Sequence, residues 1–141
     1  TALVQAVLIL LLSIPLGFEQ VSLFAIPVSA VFLVLIAITF VGFGIALASQ
    51  FGDSEGFGLV INFVIFPIFF LSGALFPISG LPEVIQPLAY LNPLTYGVDG
   101  LRAVLVGSAA RPVAIDLAAL AVSAVVMVQF GAMLFERVEA V

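Results

Sequence analysis

The sequence 62-NFVIFPIFFLSGALFPISGLPEVIQPLAYLNPLTYGVDGLR-102 decides the fold of this chain. It begins as an uncharged, aromatic-rich run around Pro67, breaks at Ser72 and Gly73, and holds five of the chain's eight prolines. Proline removes a backbone donor and obstructs the helix before it, so one straight helix cannot contain the segment. We therefore predict a membrane-spanning helix followed by short helices that turn back toward the membrane, with their broken backbone buried in protein or lining a cavity.

Composition places the chain among integral membrane proteins. Hydrophobic residues make up 65% of it, charged residues make up 8%, and the mean hydropathy is +1.44. Soluble domains are about half apolar and a quarter charged, and a chain of this length could not bury so much apolar surface in water. Cys and His are both absent, which excludes disulfides and the usual zinc and copper ligands, so we expect no metal site and no cofactor.

Charge and loop composition argue against nucleic-acid binding, nucleotide binding and enzyme activity. The net charge of −5 argues against nucleic-acid binding, which requires a basic patch. The stretch 50-QFGDSEGFG-58 is rich in glycine but lacks the GxGxxG and GK[ST] spacings of phosphate loops. Asp53 or Ser54 can instead cap the next helix, and Glu55 suits the positive end of its dipole. Without a nucleophile-base pair or metal ligands, the chain is not expected to be an enzyme.

Charge-free runs give the membrane spans when they are compared with the roughly 20 residues that cross a bilayer as a helix. Four spans are predicted, at about residues 1–18, 27–49, 55–75 and 113–135, and the segment 77–107 holds the short helices. The predicted fold class is an all-α membrane protein with four transmembrane helices and a re-entrant pair of short helices between the last two spans. The whole chain forms one transmembrane domain, and we expect its start to be cut from a longer protein because no secretory leader is found there.

Small residues on the second span favour close helix packing. Pro27 suits the first turn of that helix, which should continue to about Ala48. Gly42, Gly44, Ala46 and Ala48 recur at spacings that let a neighbouring helix approach.

Prolines also indicate where the short helices begin. Pro82 and Pro93 each fit the first helical position, the second with Asn92 as N-cap. The helix after Asn92 is amphipathic, with leucine and valine on one face and polar side chains on another.

Three polar residues share a face of that helix: Thr95, Asp99 and Arg102, at spacings of four and three. Opposite charges at this spacing can pair, and pairing becomes important if the helix dips into the membrane. We expect Asp99 and Arg102 to pair there; the alternative is a solvated face. Asn62, in the third span, has two interpretations as well: a residue of a transport path, or a hydrogen bond to a neighbouring helix.

These residues together resemble a known family. In order along the chain, the sequence has a small-residue break, a Phe-Pro pair, a Leu-Pro pair, an Asn-Pro-Leu-Thr-Tyr segment and an arginine. Here they are Ser72 and Gly73, Phe76 and Pro77, Leu81 and Pro82, Asn92 to Tyr96, and Arg102. The set resembles the end of the membrane subunit of type 2 ABC exporters, similar to the daunorubicin-resistance permeases.

The resemblance implies a fold and an orientation. Such permeases have six spans with cytoplasmic termini, so this chain would hold the third to the sixth. Residues 77–107 would form extracellular re-entrant helices, and residues 50–58 would face the cytoplasm as a minor contact loop. In this orientation Arg102 and Arg111 lie on the external side and only Arg137 lies on the cytoplasmic side. The positive-inside rule, which expects more arginines in the cytoplasm, favours the opposite orientation. We follow the resemblance, since three arginines decide little.

The resemblance also implies a mechanism: alternating access in the plasma membrane by a dimer of permeases with two ABC ATPase subunits, exporting a drug, lipid or polysaccharide. ATP hydrolysis would belong to the ATPase. The implied path or gate residues are Asn62, Pro67, Ser72, Gly73, Pro77, Pro82, Asn92, Pro93, Tyr96, Asp99 and Arg102, and the implied contact loop is Asp53, Ser54 and Glu55. The alternatives are a four-helix membrane scaffold without a substrate and, disfavoured by the absence of His and Cys, an intramembrane enzyme.

Overall fold

A computed structural model describes residues 2–13 and 24–139. Over these residues the chain is helical, without strands. Its α-helices are α1 (Ala2–Ser13), α2 (Ala25–Ala48), α3 (Ser54–Leu71), α4 (Gln86–Leu91), α5 (Pro93–Val106) and α6 (Val113–Glu139), with a 3-10 helix at Ile78–Gly80. The all-α class is confirmed.

Three described helices are long and apolar enough to cross a membrane: α2, α3 and α6. They correspond to the predicted spans at 27–49, 55–75 and 113–135. The predicted span at 1–18 lies partly outside the described residues, and only the 12 residues of α1 are seen there. A fourth span therefore stays a prediction.

The packed core lies where α2 crosses α6. A Cβ added to Gly42 would lie 2.7 Å from the carbonyl carbon of Met127, and one added to Gly131 would lie 2.7 Å from the carbonyl oxygen of Gly42. The two backbones are therefore in direct contact at the crossing. Ala46 is also buried, whereas a Cβ on Gly44 would meet open space. The predicted close approach is confirmed for Gly42 and Ala46 only.

The amphipathic helix α5 lies against both α2 and α6. Two glycines make this possible, since a Cβ on Gly97 would lie 2.6 Å from the Ile36 side chain and one on Gly100 would overlap the ring of Phe32. Phe32 is fully buried as a result. The helices α2, α5 and α6 form a three-helix unit, which we call the packed unit.

By contrast, α3 has no buried residue and contacts the packed unit sparsely. It begins with Asp53 as N-cap, one of the two caps predicted, with the Gly56 amide donating to Asp53 Oδ2 at 2.6 Å. It ends at Leu71, and Gly73 turns the chain with a φ of +80°, a conformation that favours glycine. The predicted break at Ser72 and Gly73 is confirmed.

The segment between α3 and α5 differs from the prediction at Pro82. Pro82 does not open a helix but a single hydrogen-bonded turn, in which the amides of Ile85 and Gln86 donate to its carbonyl at 2.8 and 3.2 Å. The turn cannot continue because Pro87 has no N–H to donate to the next carbonyl, and α4 begins instead at Gln86. That α4 and α5 are re-entrant stays a prediction.

Candidate functional site

The candidate site is built on the polar face of α5, which we define as Asn92, Thr95, Asp99 and Arg102. This face points into the molecule: Asn92, Thr95 and Asp99 are buried, and Arg102 is half-buried. A solvated face, the alternative drawn from the sequence, is therefore wrong. Buried polar groups need partners, and each of these four has one.

Two members of the polar face hold the end of α3. The Asn92 Nδ2 donates to the Ile68 carbonyl at 2.6 Å, and the Arg102 Nη2 donates to the Gly73 carbonyl at 2.9 Å. The Gly73 carbonyl lies two residues beyond the end of α3, and Arg102 therefore fixes the turn that follows the helix. Carbonyls in the last turn of a helix lack partners within it, and Asn92 supplies one to Ile68. Asn92 does this while also capping α5, since the Leu94 amide donates to its Oδ1 at 3.0 Å.

Thr95 lies between these two contacts. Its hydroxyl donates to the Ala89 carbonyl at 2.5 Å and lies 3.5 Å from the Leu71 carbonyl. It therefore joins α5 to α4 and borders the end of α3.

Asp99 bonds to the link between α5 and α6 instead. The amides of Ala110 and Arg111 donate to its two carboxylate oxygens at 3.0 and 3.1 Å, and Arg111 Nη1 lies 3.7 Å from Oδ2. The predicted Asp99–Arg102 pair is wrong. Helix spacing allows that pair, but the link folds back over Asp99 and brings a second arginine with it.

Arg111 is the centre of a charged cluster that the sequence analysis missed. Its Nη1 also lies 3.8 Å from Asp116 on α6, whose side chain is 0% exposed. Its guanidinium carbon lies 4.9 Å from the ring centre of Tyr90 and 5.2 Å from that of Tyr96, distances at which aromatic rings attract cations. We call Asp99, Arg111 and Asp116 with the two tyrosines the arginine cluster. Its signal in the sequence is that Arg111 and Asp116 are the next charges after Arg102 in a chain with few charges.

Two cavities flank the polar face. The first, of about 330 Å³, is lined by serines, Asp99, Arg102 and Arg111; we call it the polar cleft. The second, of about 290 Å³, lies between α2, α3, α4 and α6 and is almost wholly apolar. Asn92 lines the apolar cavity and Thr95 the polar cleft, so the contacts between α3 and α5 border both.

The structure brings most of the predicted site residues to these cavities. Those at the polar cleft are Ser72, Gly73, Pro77, Asp99 and Arg102, and those at the apolar cavity are Pro67, Asn92 and Pro93. Tyr96 belongs to the arginine cluster, and its hydroxyl donates to the Tyr90 carbonyl at 2.7 Å.

Other predicted residues lie elsewhere. Pro82 lines neither cavity, and Asp53, Ser54 and Glu55 lie at the start of α3. Asn62 is exposed, and its amide donates to the Gly58 carbonyl of its own helix at 3.0 Å, not to a neighbouring helix. Among residues 2–13 and 24–139, no group of three or more acidic, His or Cys side chains lies close enough together to hold a metal ion.

Comparison of the sequence with known proteins finds a matching family and several relatives. The family described as "ABC-2 type transporter" matches residues 1–106. The chain is similar to Nodulation protein J of Sinorhizobium fredii, at 29% identity over 126 residues that cover 88% of this chain and 47% of the relative. It is also similar to Nodulation protein J of Rhizobium meliloti, at 34% identity over 109 residues that cover 77% of this chain and 40% of the relative.

A third relative, Nodulation protein J of Bradyrhizobium diazoefficiens, is 33% identical over 113 residues, which cover 80% of this chain and 42% of the relative. The chain thus spans about half the length, or less, of the curated relatives that it matches. No solved structure matches it.

Proposed function

Because this chain belongs to the ABC-2 type transporter family, we propose that it forms the membrane path of a transport permease driven by a separate ABC ATPase. In this proposal two permease copies and two ATPase subunits assemble in the plasma membrane. Asp53, Ser54 and Glu55 provide a contact loop for the ATPase on the cytoplasmic side. The chain itself does not hydrolyse ATP.

The observation that carries the proposal is the isolation of α3. This helix is long enough to span the membrane, yet none of its residues is buried and it exposes the amide-bearing side chain of Asn62. The Asn62 Nδ2 donates to the Gly58 carbonyl of the same helix, but lipid gives the amide oxygen no donor, and polar residues in spanning helices usually face protein or a water-filled cavity. A second permease copy and the substrate path between the copies would supply that environment.

The far end of α3 would form the outer gate. Residues 77–112, including α4 and α5, lie on the external side in this arrangement, and the contacts between α3 and the polar face of α5 open and close during alternating access. Pro67 contributes by interrupting the hydrogen-bond ladder inside α3. The adjoining apolar cavity suits a substrate with apolar parts, and we propose export of a drug, a lipid or a lipid-linked polysaccharide.

Orientation can be tested with single cysteines, because these 141 residues contain none. In intact cells carrying the full-length protein, an impermeant thiol reagent should label Ser79→Cys and Ser108→Cys but not Ser54→Cys. Labelling at position 54 alone would reverse the orientation.

Transport can be tested without knowing the substrate. In vesicles that contain the full-length permease with its ATPase, ATP should change the thiol-labelling rate of Asn62→Cys severalfold relative to a non-hydrolysable analogue. Val122→Cys, on a face of α6 that is 63% exposed, is the matched control and should not respond. A scaffold without a substrate path, the alternative function, predicts that neither rate depends on ATP.

A further inference from the structure

The polar cleft has an unusual charge for this chain. The protein carries eight acidic and three basic residues, yet two of the three arginines, Arg102 and Arg111, line this one cleft with a single acid, Asp99. Asp116 lies behind Arg111, so that arginine is balanced by Asp99 and Asp116 together, and Arg102 is the cation of the cleft without a carboxylate of its own. An uncompensated cation in a cleft with low-dielectric walls attracts anions.

The two arginines are not equivalent. Arg111 is compensated by two carboxylates, at 3.7 and 3.8 Å. Arg102 has no carboxylate within 4.0 Å among the described residues, and its bond to the Gly73 carbonyl uses one N–H of the five that a guanidinium offers. Arg102 is thus a half-buried cation with spare donors at the wall of a cavity.

The rest of the lining is compatible with an anion. Asp99 is the acid in the cleft lining, and its negative charge would oppose an anion. Its two oxygens already accept two backbone N–H groups and lie near Arg111, and these partners offset that charge. Ser79 and Ser108 are exposed at the cleft and offer hydroxyl donors. The cavity of about 330 Å³ has room for a phosphate-sized group.

We propose that the polar cleft is a binding site for an oxyanion of the phosphate class, held by Arg102 with help from Ser79 and Ser108. Guanidinium groups bind phosphate through two parallel N–H bonds, a geometry that lysine cannot reproduce. The phosphate could belong to a lipid headgroup or to a soluble compound, and the chemistry of the site is the same for both. The proposal stands whether or not the chain transports a substrate.

The test uses the full-length permease in micelles of dodecyl maltoside, a detergent without phosphate, at fixed pH. Sodium phosphate, compared with sodium chloride at equal ionic strength, should raise the melting temperature by about 3 to 5 °C at ten times the Kd. A second set of micelles containing phosphatidylglycerol distinguishes the source. A rise that saturates as phosphate is added indicates a soluble anion, since general salt stabilisation does not saturate, whereas a rise with phosphatidylglycerol alone indicates a lipid headgroup. The absence of both effects overturns the proposal.

Variants locate the site. Arg102→Gln should weaken binding by about ten- to a hundredfold, the loss expected for a charge-assisted hydrogen bond. Arg137→Gln removes the same charge from an exposed position at the end of α6 and should leave binding intact. Equal binding by wild type and Arg102→Gln would contradict the assignment.

A second variant keeps the test decisive if Arg102→Gln does not fold. Ser79→Asp adds a carboxylate at an exposed position of the cleft and should abolish the phosphate effect by repulsion. Arg137→Gln changes the net charge by the same amount at the exposed end of α6 and should not. An unchanged phosphate response in Ser79→Asp would place the anion elsewhere and overturn the proposal.

Discussion

Two unlike sets of contacts hold α5 in place. Toward α6, charge dominates, with Arg111 between the carboxylates of Asp99 and Asp116. Toward α3, the contacts are side-chain hydrogen bonds to the backbone carbonyls of Ile68 and Gly73. Breaking the first set leaves buried charges unpaired, whereas breaking the second leaves single carbonyls without a donor, which costs less.

Apolar packing follows the same division. The packed unit of α2, α5 and α6 is joined by helix crossings at which glycine alone fits, while α3 contacts it sparsely and buries no residue. Elements with few buried apolar contacts open at lower free energy than the core. We infer that α3 separates from the packed unit more readily than α5 separates from α6, and the following predictions test that difference.

The largest effect is expected for Arg111→Gln. It leaves Asp99 and the fully buried Asp116 without a cation, and breaking a buried pair in this way costs about 3–5 kcal/mol. The amount of folded full-length protein extracted from the membrane should fall sharply, whereas the exposed Arg137→Gln should behave as wild type.

Adding Asp116→Asn to Arg111→Gln should restore much of the folded protein, because Asp99 keeps its two backbone donors. Failure of Asp116→Asn to rescue would indicate that packing of Arg111 against the tyrosines matters more than charge.

A second effect concerns the crossing of α2 and α6. Gly42→Ala places a methyl group 2.7 Å from the backbone of Met127, which cannot move aside as a side chain could. We expect a loss of about 1–3 kcal/mol, typical of overpacking. Gly44→Ala is the matched control, since its methyl group meets nothing within 4 Å. Thermal unfolding of both variants checks the prediction, and equal melting temperatures would show that the crossing is looser than the structure indicates.

Asn92→Ser tests the contact between α3 and α5. Serine keeps the cap on α5 but is too short to reach the Ile68 carbonyl, so only the bond to α3 is lost. The cost should be about 1 kcal/mol. Hydrogen exchange should accelerate by about fivefold in the last turns of α3 and remain unchanged in α6. Acceleration in both helices would mean that α3 and the packed unit open together.

Local rules explain what the sequence predicted well. The caps at Asp53 and Asn92, the break at Gly73 and the limits of α2 depend on residues only a few positions apart. The prediction that Pro82 begins a helix is wrong for an equally local reason. Pro87, five residues later, ends the turn that Pro82 starts.

The arginine cluster could not be predicted because it depends on how separate elements meet. Asp99 and Asp116 come together at Arg111 only when the link folds back over α5, and two tyrosines from α4 and α5 complete the environment of the arginine. The spacing of Asp99 and Arg102 on one helix suggested a simpler pair. It gave no information about backbone amides at Ala110 and Arg111 that compete for the same carboxylate.

The smallest effect is expected at the opposite end of α3. Asp53→Ala removes the bond from the Gly56 amide, and loss of an N-cap costs about 0.5–2 kcal/mol, with exposed caps such as this one at the low end. Asp53→Ser retains a capping oxygen and should lose much less. Since α3 is loosely held along its length, fraying should remain within its first turn, and hydrogen exchange at Gly56 should accelerate in Asp53→Ala but not in Asp53→Ser.

The same pair of variants, Asp53→Ala and Asp53→Ser, separates capping from the proposed ATPase contact. If Asp53 acts only as a cap, Asp53→Ser keeps both the protection of Gly56 and the ATP-dependent labelling of Asn62→Cys; if its carboxylate also contacts the ATPase, Asp53→Ser keeps the protection and loses the ATP dependence.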